Sequence, residues 1–508
     1  MSLSPSSPPA LHLLSIEALL HGFAARQFTP VDLLHAVLAR IERHESQLNA
    51  LCERQDEAAL AAAQAATARW AAGQPLGRLD GIPILVKDNS DIQGWHTRSG
   101  SRALANRPPM TRDTSLVARL REAGAIFIGK TTLPELGSTP LTDSPLTGIT
   151  RNPWNLALHA GGSSGGSTAG VAAGYAPAAT GNDAAGSIRT PSSFCGVIGF
   201  KPSHGLVSAC PSIDPGGMAA EGPIARHVRD IALLMELMSA HEPDEPFAWP
   251  HAPGQFLSGI EDGISGLRIA FSADLGHAAH VDPQIAARCL AAAQLLQQAG
   301  ATVVQASPDI GQPAANYLRA WPVEVASAMA EEIPLERQHL VGDFLQQAQV
   351  RARQLNALDY ACAVQERHRV AQKLHDFLGD YDLLLTPTAV VEPFAVERQM
   401  PPDWPEQISA MWQPTTFPFN FSRQPALSMP CGLSAAGLPI GLQIVARFGH
   451  DERVLRAARA LEKLLPAGVF AHPAGLLDAP PGVNCTEQPA DAATSRRFTD
   501  KEVDHGVF

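Results

Sequence analysis

Three short stretches of this 508-residue chain carry side chains that could work together on a carbonyl. The first, GGSSGGS at residues 161–167, contains nothing larger than a hydroxymethyl group. Glycine there opens backbone conformations closed to other residues. The STAGVAAG that continues from it is helix-compatible and ends near Gly174. Ser163 and Ser164 are thus expected in a loop feeding a helix N-terminus, where backbone N–H groups are free. The alternative for a Gly/Ser run is a linker, but linkers join domains and this one lies inside an α/β pattern. In the second stretch, GNDAAGSIRTP at 181–191, small residues crowd Ser187. Ala184, Ala185 and Gly186 would let a substrate come close to the main chain, whose N–H groups could meet a carbonyl oxygen as an oxyanion hole does. The third, GIPILVKDN at 81–89, is an apolar run that emerges at Lys87. A serine nucleophile needs a base. None of the 18 histidines sits in a recognisable nucleophile–base pattern, but a lysine desolvated enough to lose its proton can serve. Lys87 could be desolvated in that way; the plain alternative is a surface lysine.

The elements that must position these residues alternate. The first 70 or so residues read as helices: Ser15 can cap one at Ile16, and Thr29-Pro30 gives an N-cap with proline at the first helical position. Leu34, Val37, Leu38 and Ile41 then make one apolar stripe. GIPILVKDN reads as a buried strand, DTSLVARLREAG (113–124) as a capped helix, and AIFIGK (125–130) as a strand. GLRIAFS, DPQIAARCLAAAQLLQQAG and ATVVQAS give strand, helix, strand between 266 and 307. Residues from Pro313 to Gly379 read as mostly helical, followed by strands in YDLLLTPT and GLPIGLQIVAR and a helix from Glu452 to Leu465. The pattern predicts one large α/β domain over 71–470, with a central twisted mixed sheet covered by helices on both faces. The 1–70 segment is expected to pack on it as helices, and 313–380 to form a helical insertion near the site. The polar stretch 478–508 is expected to be a tail, disordered or laid over the surface.

GAIFIGKT (124–131) fits the phosphate-loop pattern letter for letter. Its context argues against that chemistry. The middle residues are strand material, and a helix precedes them, whereas a phosphate loop follows a strand and opens a helix. Lys130 is expected to make a structural contact at a strand end. The net charge of −12 disfavours a nucleic-acid partner, and no run of 18 apolar residues suggests a membrane span. The seven cysteines are scattered and include no C-x-x-C pair. No positive residue precedes the first apolar run, so a signal peptide is not expected. Together these features predict free thiols and a cytoplasmic location.

Taken together, GIPILVKDN, AGGSSGGS and GSIRTP resemble the amidase signature family of serine hydrolases. The likeness extends in order through TSLVARLREAGAIFIGKT, TRNPWN, FCGVIGFKPSHGLVS, GPIARHVRDIALL, YDLLLTPT and QPALSMPCGLSAAGLPIGLQIVAR, roughly from Ser15 to Leu465. The resemblance implies an amidase cleaving an amide, anilide, carbamate or urea C–N bond through an acyl-enzyme. It implies Ser187 as nucleophile, Lys87 as base and Ser163, following a cis peptide bond, as the proton bridge between them. It also implies oxyanion donors at Ala184, Ala185, Gly186 and Ser187, supporting roles for Asp183 and Arg189, and a substrate loop at Gly137, Ser138 and Thr139. No cofactor or metal is called for. The expected partner is a small-molecule amide, with a homodimer as one assembly open to it. The runner-up is a glutaminase-type subunit of a transamidation complex, docking through the tail or the region from Pro313 to Pro405. Asn182, Ala185 and Thr132 depart from the family's commonest residues. For the acyl pocket, Leu136–Leu146 and Met411–Phe421 are the candidate segments, the latter with Trp412, Phe417 and Phe419 as either lining or core.

Overall fold

The computed structural model describes residues 10–210, 216–239, 242, 247–248, 254–404, 412–470 and 473. The 478–508 stretch, Met411 and Cys485 lie outside them. Eleven strands form one sheet. In chain order they are β1 (Leu51–Arg54), β2 (Pro83–Lys87), β3 (Ile126–Thr131), β4 (Ala178–Asp183), β5 (Ile198–Lys201), β6 (Ala220–Ala225), β7 (Arg268–Phe271), β8 (Thr302–Gln305), β9 (Leu383–Pro387), β10 (Ala426–Leu433) and β11 (Pro439–Val445). Their spatial order is β1-β3-β2-β4-β6-β5-β10-β11-β9-β7-β8. β2 runs parallel to β3 and β4, and β7 runs parallel to β8 and β9, while the centre is antiparallel. The sheet is mixed, within a single α/β domain. Buried strands from β2 to β11 and their flanking helices share one main hydrophobic cluster.

The N-terminal segment departs from the all-helical expectation. Helices α1 (Ile16–Ala24), α2 (Pro30–Leu48) and α3 (Asp56–Ala71) form as read, but β1 between α2 and α3 pairs antiparallel with β3. LCER has no apolar alternation to signal a strand, and its pairing comes from the edge it meets. Thr29 and Asp32 close a reciprocal capping box at the start of α2. The N-terminal N–H of α1, on Ile16, donates to buried Asp230 at 3.0 and 3.1 Å, which ties this segment to helix Val228–Met238.

Besides β1, four strands escaped the sequence reading: β4, β5, β6 and β10. AATGND and AEGPIA are poor in the β-branched residues that mark strands. They form because both faces are covered, so small side chains suffice.

GAIFIGKT is a strand that follows helix Ser115–Glu122, as its composition predicted. Lys130 is fully buried and pairs with Asp88 at 2.9 Å. Its Nζ also donates to Thr97 Oγ1 at 2.6 Å and to the His96 carbonyl at 3.0 Å. All its donors are therefore occupied in holding the chain just past Lys87. Replacing Lys130 by Met would leave a carboxylate buried without its cation. Lys130→Met is expected to lower stability by about 3–5 kcal/mol in urea denaturation, and ATP should leave the wild-type melting temperature unmoved. An unchanged denaturation midpoint would refute the assigned role.

Candidate active site

β2 delivers Lys87 at its C-terminal end. All five of its residues are buried, and Lys87 is 1% exposed. Its ammonium nitrogen donates to Ser163 Oγ at 2.8 Å and lies 3.4 Å from the Asn182 carbonyl. Burial pulls the Lys87 pKa down to about 8, although the Glu221 and Asp183 carboxylates draw it back up.

The Gly/Ser stretch supplies Ser163 because it can approach its surroundings closely. The Gly162–Ser163 peptide is cis. Helix Gly165–Ala172 then begins, every residue of it buried. A Cβ on Gly166 would come within 2.5 Å of Thr132 N and 2.6 Å of the Ala50 carbonyl, and one on Gly162 would lie 2.9 Å from Leu141 backbone atoms. Side chains at these positions would push the loop off the sheet and away from Lys87. Thr132, one of the departures from the family's commonest residues, fits the same contact by hydrogen bonding Thr150 Oγ1 at 2.6 Å.

The Ser187 loop is built around a buried ion pair. Asp183 ends β4 and is fully enclosed. Arg189, also fully enclosed, grips its carboxylate through Nε at 2.9 Å and Nη2 at 2.8 Å. Burial alone would raise the Asp183 pKa; Arg189, with Lys201 and Asn420, overrides it and holds the carboxyl well below the usual range. The carboxylate accepts backbone N–H groups from Gly186 at 2.7 Å, Ile188 at 3.1 Å and Arg189 at 3.3 Å. This revises one expectation. The resemblance implies Gly186 as an oxyanion donor, but its N–H is already donated to Asp183. Its contribution is the turn itself, at φ 125°. The N–H groups of Ala184, Ala185 and Ser187 donate to none of the described residues. Ala185 keeps an ordinary φ, so the missing glycine there costs no strain.

Residues 416–420, read from the sequence only as candidate acyl-pocket lining, lock this loop from outside together with Gln443 of β11. Thr416 Oγ1 donates to the Ala185 carbonyl at 2.7 Å, and Asn420 Nδ2 donates to the Asp183 carbonyl at 2.8 Å. Gln443 accepts from Arg189 Nη1 at 2.7 Å. Nothing in the local pattern of these residues signals the contact, because their partners lie more than 220 positions away.

A cavity of about 210 Å³ opens over Lys87, Asn182 and Ala184. Gly137 and Ser138 line it, whereas Thr139 does not and donates instead to the Leu141 carbonyl at 2.9 Å. A Cβ on Gly137 would lie 3.4 Å from Ser163 Oγ, so this loop presses directly on the serine. Helix Pro313–Glu332 contributes Trp321, Val325 and Ala328 to the opposite wall. The described part of Met411–Phe421 contributes nothing to the cavity. Phe417 and Phe419 are fully buried in a satellite core, and Trp412 stacks on Phe194 with ring centroids 5.8 Å apart. Of the two roles left open for these aromatics, the structure selects core.

The Ser163 and Ser187 loops meet through the Ser164 N–H, which donates to the Ser187 carbonyl at 3.0 Å. Ser187 is partly exposed. No hydrogen bond joins its hydroxyl to Ser163 Oγ, whose partner is Lys87. The profile of the amidase family matches residues 32–455. The chain belongs to the amidase family. It is 35% identical over 467 residues to an acylamidase of Rhodococcus erythropolis, covering 90% of this chain and 96% of that one. It is 34% identical to a glutamyl-tRNA(Gln) amidotransferase component from Chloroflexus aggregans, covering 89% and 97%. The crystal structure of a bacterial aryl acylamidase of the amidase signature family superposes with a TM-score of 0.85 at 28% identity, covering 92% and 99%. This amidase hydrolyses carbon–nitrogen amide bonds, a reading its relatives support over that of an amidotransferase component. Among its described residues, no helix is long and apolar enough to cross a membrane.

The Gly186 turn is a sharp test of the geometry. A Cβ there would sit 2.8 Å from Thr416 Cβ in a backbone conformation closed to L side chains. Gly186→Ala is expected to lose about 1–3 kcal/mol of stability and most of the activity. Wild-type melting and turnover would overturn the assignment.

Proposed function

We propose that this amidase works through Ser187, Ser163 and Lys87. The observation that carries the reading is the 2.8 Å contact between Lys87 Nζ and Ser163 Oγ, in a buried corner beside the Ser187 loop. In its neutral form Lys87 accepts the Ser163 proton while Ser163 accepts that of Ser187. Ser187 Oγ attacks the amide carbonyl, and a C–O bond forms as the carbonyl π bond opens. The oxyanion is met by the N–H groups of Ala184, Ala185 and Ser187. The tetrahedral intermediate collapses with cleavage of the C–N bond, and the proton returns through Ser163 to the leaving nitrogen. Water, activated by the same relay, then releases the acid from the acyl-enzyme. Asp183 and Arg189 act by holding the loop rather than by touching substrate.

The substrates that suit this cavity are carboxylic amides and anilides with an apolar portion. Leu133, Leu136, Met218, Trp321 and Val325 give it apolar walls, and relatives include an acylamidase and an aryl acylamidase. A panel of amides, anilides, carbamates and ureas distinguishes these classes.

Ser187→Ala is expected to lower kcat by roughly four orders of magnitude or more while melting stays at the wild-type temperature. Undiminished turnover would end the proposal. Because the active form of Lys87 is neutral, kcat/KM should rise with pH through about 8 and then level off. A flat profile from pH ~5 to ~9 would exclude a neutral-lysine base.

A further inference from the structure

Glu221 is a buried carboxylate that the relay does not use. It lies on β6, directly opposite Asn182 of β4 in the antiparallel register. It is 5% exposed and lines the same cavity as Lys87. The Asn182 side-chain amide donates to Glu221 Oε1 at 2.7 Å, while the Asn182 carbonyl faces Lys87 Nζ at 3.4 Å. One residue thus faces the carboxylate with its side chain and the amine with its backbone. Asn182 is also a position where this chain departs from the family's commonest residue, so the clasp is a feature of this chain rather than of the common pattern.

We infer that Glu221, held by Asn182, is a positioning residue for Lys87 whose negative charge sets the pH at which the base becomes active. The inference rests on the Ser187–Ser163–Lys87 reading and adds its regulation. An opposite charge close to a buried amine favours the charged form and opposes the desolvation that would discharge it. The direction of the Glu221 effect on Lys87 agrees. Other carboxylates stand near this corner. Asp183 is locked to Arg189, Glu324 pairs with Arg367, and Glu332 pairs with Arg107 at 3.0 Å. His204 also lines the cavity. Glu221 is joined to the Lys87 corner through Asn182.

The test uses the full-length protein and a fluorophosphonate, which labels an activated serine without needing the natural substrate. The rate of Ser187 labelling is followed against pH for the wild type, Glu221→Gln and Glu221→Asp, with melting curves for each. Gln can still accept from Asn182 but carries no charge. Its acidic limb should move to lower pH by about one unit or more. Asp keeps the charge one methylene further back, so its limb should fall between the other two. Superimposable limbs would overturn the inference, as would a loss of rate at every pH with no movement of the midpoint. Failure of the wild type to label at Ser187 at any pH would instead remove the underlying relay, and this inference with it.

Discussion

An amine buried at the end of a strand is the constraint on which the rest of this site depends. An ammonium ion in water holds its proton far above neutral pH, and only loss of hydration brings the neutral form within reach. Lys87 is stripped of water because every residue of β2 is buried and helix Gly165–Ala172 packs against the strand. The same enclosure that lowers its proton affinity also requires a hydrogen-bond partner for it, and Ser163 is that partner. A large side chain anywhere in GGSSGGS would push the loop away from the sheet. The composition of that stretch thus answers to packing and to chemistry at once.

The Ser187 loop solves a different problem. Its backbone must turn sharply and leave some N–H groups directed away from their own chain. The Asp183 carboxylate does this by capturing three N–H groups and leaving their neighbours unengaged. A bare carboxylate at that depth would protonate or unfold the loop, so Arg189 lies against it in a two-point contact. Arg189 is in turn satisfied by Thr416, Asn420 and Gln443. The loop carrying the proposed nucleophile is therefore fixed by residues from the far end of the chain, and a change at Asn420 would reach Ser187 without touching the cavity.

Charge around the site works in opposing directions. Burial lowers the proton affinity of Lys87 while Glu221 and Asp183 raise it. The proton affinity of Lys87 is a balance between the two rather than a property of the lysine alone. Such a balance can be retuned by one substitution on a neighbouring strand without rebuilding the relay.

The sequence by itself determined the family and the α/β class, because those depend on local patterns. Apolar runs, caps, and small residues at fixed spacing are all visible along the chain. Lys87, Ser163 and Ser187 stood out as candidates from their neighbours, and their proposed roles came from the resemblance that the motifs carry together. Tertiary structure alone decided which backbone groups stay available, since the capture of the Gly186 N–H by Asp183 depends on how the loop closes. It also decided that the aromatics of 412–421 are core, and that helix Pro313–Glu332 walls the cavity. Strands β4 and β6 could not be read because their small residues become strands only when both faces are covered. The physical reason is the same throughout: hydrogen bonds and burial between residues hundreds of positions apart leave no periodic trace in a single chain.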